Sequence, residues 1–220
     1  MLLQLLFEQP LIFIPLFLAL LFALSFHELS HGLVAYWLGD MTAKDAGRLT
    51  FNPIKHIDPM GVILLLIIGF GWGKPVPVNH YNLKFPKWGP ALVGVAGPIS
   101  NLLFALVAGY TFMAFAPSGL NPVDLYAVLG SASNLMLIFL SFLVVYNIML
   151  MVFNLLPIPP LDGSSILFAI LPPQYDKVVW WLQTRGPMVL FGFIIADSLF
   201  NLGIFAHSFS SVLNLFSKLF

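Results

Sequence analysis

The chemistry in this sequence begins at "FHELSHG", where His27, Glu28 and His31 interrupt an apolar run. Histidines four apart on a helix project from one face and can close on a single metal ion. Glu28, one residue round, is placed to hold a water at that metal, which is the arrangement of zinc hydrolases. The chain has no cysteine. Thiolate ligands, disulfides and a cysteine nucleophile are therefore excluded, and metal chemistry must rest on imidazole and carboxylate. Two imidazoles leave a catalytic zinc one protein ligand short. The candidates for the third are Asp162 and Asp197, in or beside apolar segments, and His56, His80, Asp40, Asp45 and Asp58 in polar stretches.

The elements that must position these groups belong to a membrane protein. Hydrophobic residues make up 60% of the 220 and charged residues 8%, with nine basic and nine acidic side chains. Soluble domains are about half apolar and a quarter charged. The balanced charge gives no sign of a nucleic-acid partner. A bilayer core takes about 20 apolar helical residues to cross. Leu11 to Leu38, Gly89 to Ala116 and Tyr126 to Leu156 meet that length, and Pro187 to Ala206 does so apart from Asp197 and Asn201. The N-terminus lacks a basic stretch before its apolar run, so the first long segment is expected to remain as a helix. Gly61 to Trp72 and Ser164 to Leu171 are too short to cross and read as re-entrant or half-crossing pieces.

Loop charge orients this arrangement. Lys44, Arg48 and Lys55 precede the first short run, Lys74, Lys84 and Lys87 follow it, and Lys177 and Arg185 lie after Leu171. The stretch Pro117 to Asp124 has no basic residue. The positive-inside rule then places these three basic groups on the cytoplasmic side and the loop without Lys or Arg outside. "KPVPV" reads as extended, because Pro75 and Pro77 exclude helix and alternate with Val76 and Val78. It is the expected β-edge near the membrane surface. The tail Ser208 to Phe220 reads as an interfacial helix.

On this topology the histidines lie toward the cytoplasmic end of the first helix. The end of the Tyr126 segment, broken by Pro157, Pro159 and Pro160 ahead of Asp162, lies on the same side. Irregular backbone at membrane depth is tolerated where it is buried or lines a cavity, so Asp162 can meet the histidines at one depth. Asp197 reads instead as a packing contact or a protonated carboxyl. His56 and His80 read as solvated or turn-capping, and His207 as interfacial.

Together, "FHELSHG", "GRLTFNPIKHIDPMG", "GWGKPVPVN", "AGPISN" and "NLLPIPPLDG" resemble the site-2 protease family of intramembrane zinc metalloproteases, in its compact form without an inserted PDZ domain. The match runs from about residue 11 to 171. The resemblance implies that His27, His31 and Asp162 bind one zinc ion per chain and that Glu28 is the catalytic base. The substrate it implies is a membrane-spanning segment of another protein, cut within or near the bilayer by Glu-assisted attack of zinc-activated water. A helical substrate must unwind to expose its carbonyls, and Pro75, Val76, Pro77 and Val78 offer an edge to hold it. Asn154 is expected to orient the substrate or the Asp162 loop, or else to bond at its helix end, and Asn101 to brace the site.

The expected fold is an all-α integral membrane protein, a polytopic helical bundle with a short re-entrant or β-edge segment after the first helix. It forms one domain over 1–220, with C-terminal helices over 186–220. The expected partners are single-span membrane proteins and the lipid bilayer, with homo-oligomerisation left open. The rival reading is a membrane metal-binding or transport protein without protease activity. It offers no reason for Glu28 and would expect polar residues along a whole pathway, whereas here they cluster at one depth.

Overall fold

The computed structural model describes residues 2–68, 71–131 and 134–220. Among them the regular structure is helical: α1 (Leu2–Glu8), α2 (Pro10–Trp37), α3 (Thr42–Asp45), α4 (Pro59–Ile68), α5 (Gly89–Phe115), α6 (Leu125–Ser131), α7 (Leu135–Asn154), α8 (Gly163–Ile170), α9 (Asp176–Leu199) and α10 (Ile204–Phe216). The helices α2, α5, α7 and α9 are long and apolar enough to cross a membrane. The chain is thus an all-α multi-pass membrane protein.

Helices α2, α5 and α7 pack pairwise against one another and hold the core. Small residues let them approach: Ala19 and Ala23 of α2 and Ala105 and Ala108 of α5 are buried at their contact with Leu140, Val144 and Ile148 of α7. In lipid, where apolar side chains gain little by leaving their solvent, such close backbone packing drives helix association. Helix α9 stands apart, with 11% of its most apolar window buried against 56% for α7.

Several expected boundaries are corrected. The apolar segment from Tyr126 to Leu156 is two helices, because Asn134 accepts a hydrogen bond from the Met136 amide at 2.9 Å and caps α7 afresh. Ala132 and Ser133 lie outside the described residues. Helix α9 begins at Asp176 and carries Pro187 inside it, so Lys177 and Arg185 sit on the helix rather than in a loop. Asp176 in the first turn suits the positive end of the helix dipole. The expected fourth span does not run to Ala206: Asn201 (φ 49°) and Gly203 (φ 68°) turn the chain, and the tail helix starts at Ile204 rather than Ser208.

The two short apolar runs form α4, of ten residues, and α8, of eight. Gly69 and Phe70 lie outside the described residues. The expected β-edge comes down to a segment over 74–79 without regular structure and a single antiparallel bridge between Ile57 and Gly73. Pro75 and Pro77 have no amide hydrogen to continue a ladder.

Candidate metal centre

His27 and His31 lie on one face of α2, 5% and 9% exposed. Their ring planes are nearly perpendicular, at 88°, and their Nε2 atoms are 3.0 Å apart. The far side of each ring fixes its tautomer. His31 Nδ1 lies 2.7 Å from the Val93 carbonyl oxygen, which can only accept, so Nδ1 carries the proton and donates. His27 Nδ1 lies 2.6 Å from Asn101 Oδ1 and donates in the same way. In the neutral rings both Nε2 atoms then present lone pairs, and two acceptors at 3.0 Å repel unless a cation lies between them.

Asp162 completes the convergence. The turn after α7 closes through the Ile158 amide on Leu156 O and the Leu161 amide on Ile158 O, and delivers Asp162 to the first residue before α8. That position commonly caps a helix. Here the side chain makes no cap bond and turns to the histidines. Its Oδ2 lies 3.2 Å from His27 Nε2 and its Oδ1 3.4 Å from His31 Nε2. Oδ2 is buried without a hydrogen-bond donor. A tetrahedral zinc with bonds of about 2.0–2.1 Å sets its ligand atoms about 3.3 Å apart, so these three separations and the orphaned oxygen fit a metal. Among the described residues, His27, His31 and Asp162 form the cluster able to hold one.

Helix α5 forms the wall behind the ligands. A Cβ on Gly97 would stand 2.5 Å from His27 Cε1 and from His31 Nε2, and one on Gly94 would stand 3.0 Å from the Asp162 carbonyl oxygen. At Gly97 only hydrogen lets the helix lie this close to the ligands, and at Gly94 a side chain would be tight. Gly94, Gly97 and Asn101, spaced three and four apart, together with the Val93 carbonyl, thus present one working face.

Glu28 is half-buried and accepts the Val76 amide at Oε2, at 2.8 Å. Val76 is buried, Pro77 and Val78 are half-buried and Pro75 is exposed. The segment is tied down along its length. Arg48 donates to Lys74 O at 2.8 Å, the Lys74 amide to His56 O at 2.8 Å, and the Asn79 amide to Asp40 Oδ2 at 2.7 Å. Asp40 also accepts from Asn82 at 2.9 Å and from the Thr42 hydroxyl at 2.5 Å. Burial pushes its carboxyl up, but these hydrogen bonds outweigh burial and hold it below the ordinary aspartate value.

The remaining candidates lie outside the cluster and make other contacts. Asn154 donates to Leu150 O along its own helix at 3.0 Å. Asp197 accepts the Ile204 amide at 2.7 Å and so ties α9 to α10. Asp58 accepts the Gly61 amide at 3.0 Å at the start of α4, while Asp45 and His80 are exposed. His56 is not solvated: it is 2% exposed and bonds Thr50 O at 3.0 Å, because the chain from Arg48 to Ile57 folds back over it. His207 bonds Gly203 O at 2.6 Å. Asn147 is a contact that the motifs do not point to. It is fully buried on α7 and accepts from Asn101 Nδ2 at 2.7 Å. Its one sequence signal is an amide inside the apolar run "VVYNIML".

The chain is 38% identical over 219 residues to "Putative zinc metalloprotease YwhC" of Bacillus subtilis, covering 96% of this chain and 95% of that protein. The family model for peptidase family M50 matches residues 117–193. The chain belongs to peptidase family M50, the site-2 protease family. The M50 model spans Asp162, and the Bacillus relative aligns with nearly the whole chain. "Putative zinc metalloprotease Rip2" of Mycolicibacterium smegmatis is 30% identical over 203 residues, covering 87% of this chain and 72% of that protein. "Putative zinc metalloprotease MJ0611" of Methanocaldococcus jannaschii is 28% identical over 170 residues, covering 77% and 74%. No solved structure matches the chain.

Proposed function

We propose that this M50 member is an intramembrane zinc endopeptidase that cuts membrane-spanning segments of single-span proteins. The observation that carries the reading is the convergence of two Nε2 atoms, each on a ring whose Nδ1 faces an acceptor, and an orphaned carboxylate oxygen within one buried cluster. His27, His31 and Asp162 hold one zinc ion, and the match to relatives named as zinc metalloproteases supports that choice of metal. Zinc, when bound, supplies the Lewis acidity that acidifies a water and polarises a peptide carbonyl.

Glu28 takes the proton of the attacking water and delivers it to the amide nitrogen as the peptide bond breaks. The Val76 amide, bonded to Oε2, fixes the carboxylate and leaves Oε1 for that transfer. An unwound substrate lies extended along Pro75, Val76, Pro77 and Val78, with Asn154 near the Asp162 turn as an orienting amide. The distribution of Lys and Arg supports a site opening toward the cytoplasmic side.

The test is metal analysis combined with cleavage of a panel of single-span substrates in detergent. Glu28→Gln should keep its zinc and lose cleavage by at least about 100-fold, the lower range for a general base. Cleavage retained by a metal-replete Glu28→Gln protein would falsify this assignment.

A further inference from the structure

We propose that Asn147 is a positioning residue for the metal centre, acting through Asn101 to hold His27 in its metal-binding tautomer. The inference rests on the metal-site reading above and extends it to a residue on a helix that carries none of the three ligands. The decisive feature is a chain of hydrogen bonds with a fixed direction. Asn147 Nδ2 lies 2.7 Å from the Leu143 carbonyl oxygen of its own helix. A carbonyl cannot donate, so the amide's NH2 must point there and its Oδ1 must point away.

Asn147 Oδ1 in turn requires a donor, and Asn101 Nδ2 fills that role at 2.7 Å. Asn101 is thereby oriented with Oδ1 toward His27 Nδ1, at 2.6 Å. Its Nδ2 also reaches Ala23 O, at 3.4 Å. His27 must then keep a proton on Nδ1, and the neutral ring presents its lone pair on Nε2. Orientation passes from a backbone carbonyl on α7, through two side-chain amides, to a ligand atom on α2.

Both amides are fully buried, at 0% exposure. Water is therefore not at hand to replace a missing partner. Without Asn147 Oδ1, Asn101 can turn over and offer its NH2 to His27 Nδ1. That arrangement favours the tautomer with the proton on Nε2, which leaves no lone pair on the atom that faces His31 and Asp162. His31 is held separately, by Val93 O, so the relay governs one ligand only.

The test measures zinc affinity by chelator competition in detergent for the full chain and its variants, alongside thermal unfolding of the metal-free proteins. Asn147→Leu, similar in size and apolar, should keep or raise metal-free stability yet weaken zinc binding about 10- to 100-fold, the usual cost of losing a partner of a metal ligand. Asn147→Asp should restore affinity to within about threefold of wild type. Neutral in this apolar setting, its O–H can serve Leu143 O while its carbonyl oxygen accepts from Asn101. Nitrogen spectra of the metal-free, 15N-histidine-labelled protein should show His27 protonated on Nδ1 in wild type and shifting toward Nε2 in Asn147→Leu. If the leucine variant does not fold, Asn147→Ala removes the same acceptor. Wild-type zinc affinity in either variant, or equal weakening by leucine and aspartate, overturns the relay alone. A wild-type chain that takes up no zinc overturns the metal-site reading and the relay with it.

Discussion

The Val76 amide donates to Glu28 Oε2 at 2.8 Å, joining the segment after Gly73 to the acidic residue beside the His27–His31 pair. The bond runs through a main-chain N–H, so it can be removed without touching the carboxylate. Val76→Pro deletes the donor, whereas Val76→Ala shortens the side chain and keeps it. The proline variant should lose about tenfold more kcat than the alanine variant, with zinc content unchanged, as a part of the 10²–10⁴ carried by a well-placed base. Steady-state cleavage of one single-span substrate by both variants decides it, and equal losses would remove the amide from any positioning role.

Gly97 offers a steric test of the wall behind the ligands. A methyl at that position meets His27 Cε1 and His31 Nε2 at 2.5 Å, closer than carbon atoms pack. In a helix interior Ala is otherwise about 1 kcal/mol better than Gly. Gly97→Ala should therefore fold with its helical content intact and retain less than about a tenth of the wild-type zinc, an extension of the cost of disturbing ligand orientation. Elemental analysis with circular dichroism separates this from unfolding, and a full zinc complement would show that the helix can shift away.

Removing the metal should destabilise the fold only while all three ligands are present. At free zinc 100 times the dissociation constant, binding adds about 2.7 kcal/mol, or about 5–10 °C in Tm for a chain of this size. A chelator should lower the wild-type Tm by that amount. Asp162→Ala, short of one ligand, should unfold at the same temperature with and without chelator.

The Asp40 clamp predicts an acid limit. Its carboxyl sits below the ordinary aspartate value, with burial opposing and the bonds from Thr42, Asn82 and Asn79 prevailing. A lowered folded-state pKa gives stability that is present above the unfolded value, near 3.9, and is lost as pH falls through the folded one. Wild type should therefore lose its advantage over Asp40→Asn below about pH 4. Asp40→Ala, leaving buried donors unmet, should cost about 1–3 kcal/mol at neutral pH. Thermal unfolding of the three proteins from pH 3 to pH 7 checks both statements, and a parallel pH response in wild type and Asp40→Asn would refute the clamp.

Hydropathy located α2 and α5 to within a residue or two, because a run of apolar residues as long as a bilayer is thick has few other uses. The same rule merged α6 with α7, since Asn134 interrupts a stretch apolar on both sides. It also started α9 at Pro187, though a proline can sit inside a membrane helix. His27, Glu28 and His31 were legible from local spacing. Asp162 needed a topology that brought two distant chain segments to one depth. Val93 O and the Val76 N–H were not legible, being main-chain groups with no residue signature. Asn147 was visible as a polar residue in a span, but its partner could be found only once α5 and α7 lay side by side.

The three proposed ligands are supplied at opposite ends of synthesis. His31 leaves the ribosome about 130 residues before Asp162, roughly ten seconds at ordinary translation rates. If α2 is inserted as it is made, it spends that interval with two ligands and no third. Cutting activity is thereby withheld from a half-made chain. A nascent protease of this build cannot turn on its neighbours at the translocon until α7 and the turn after it have been laid down.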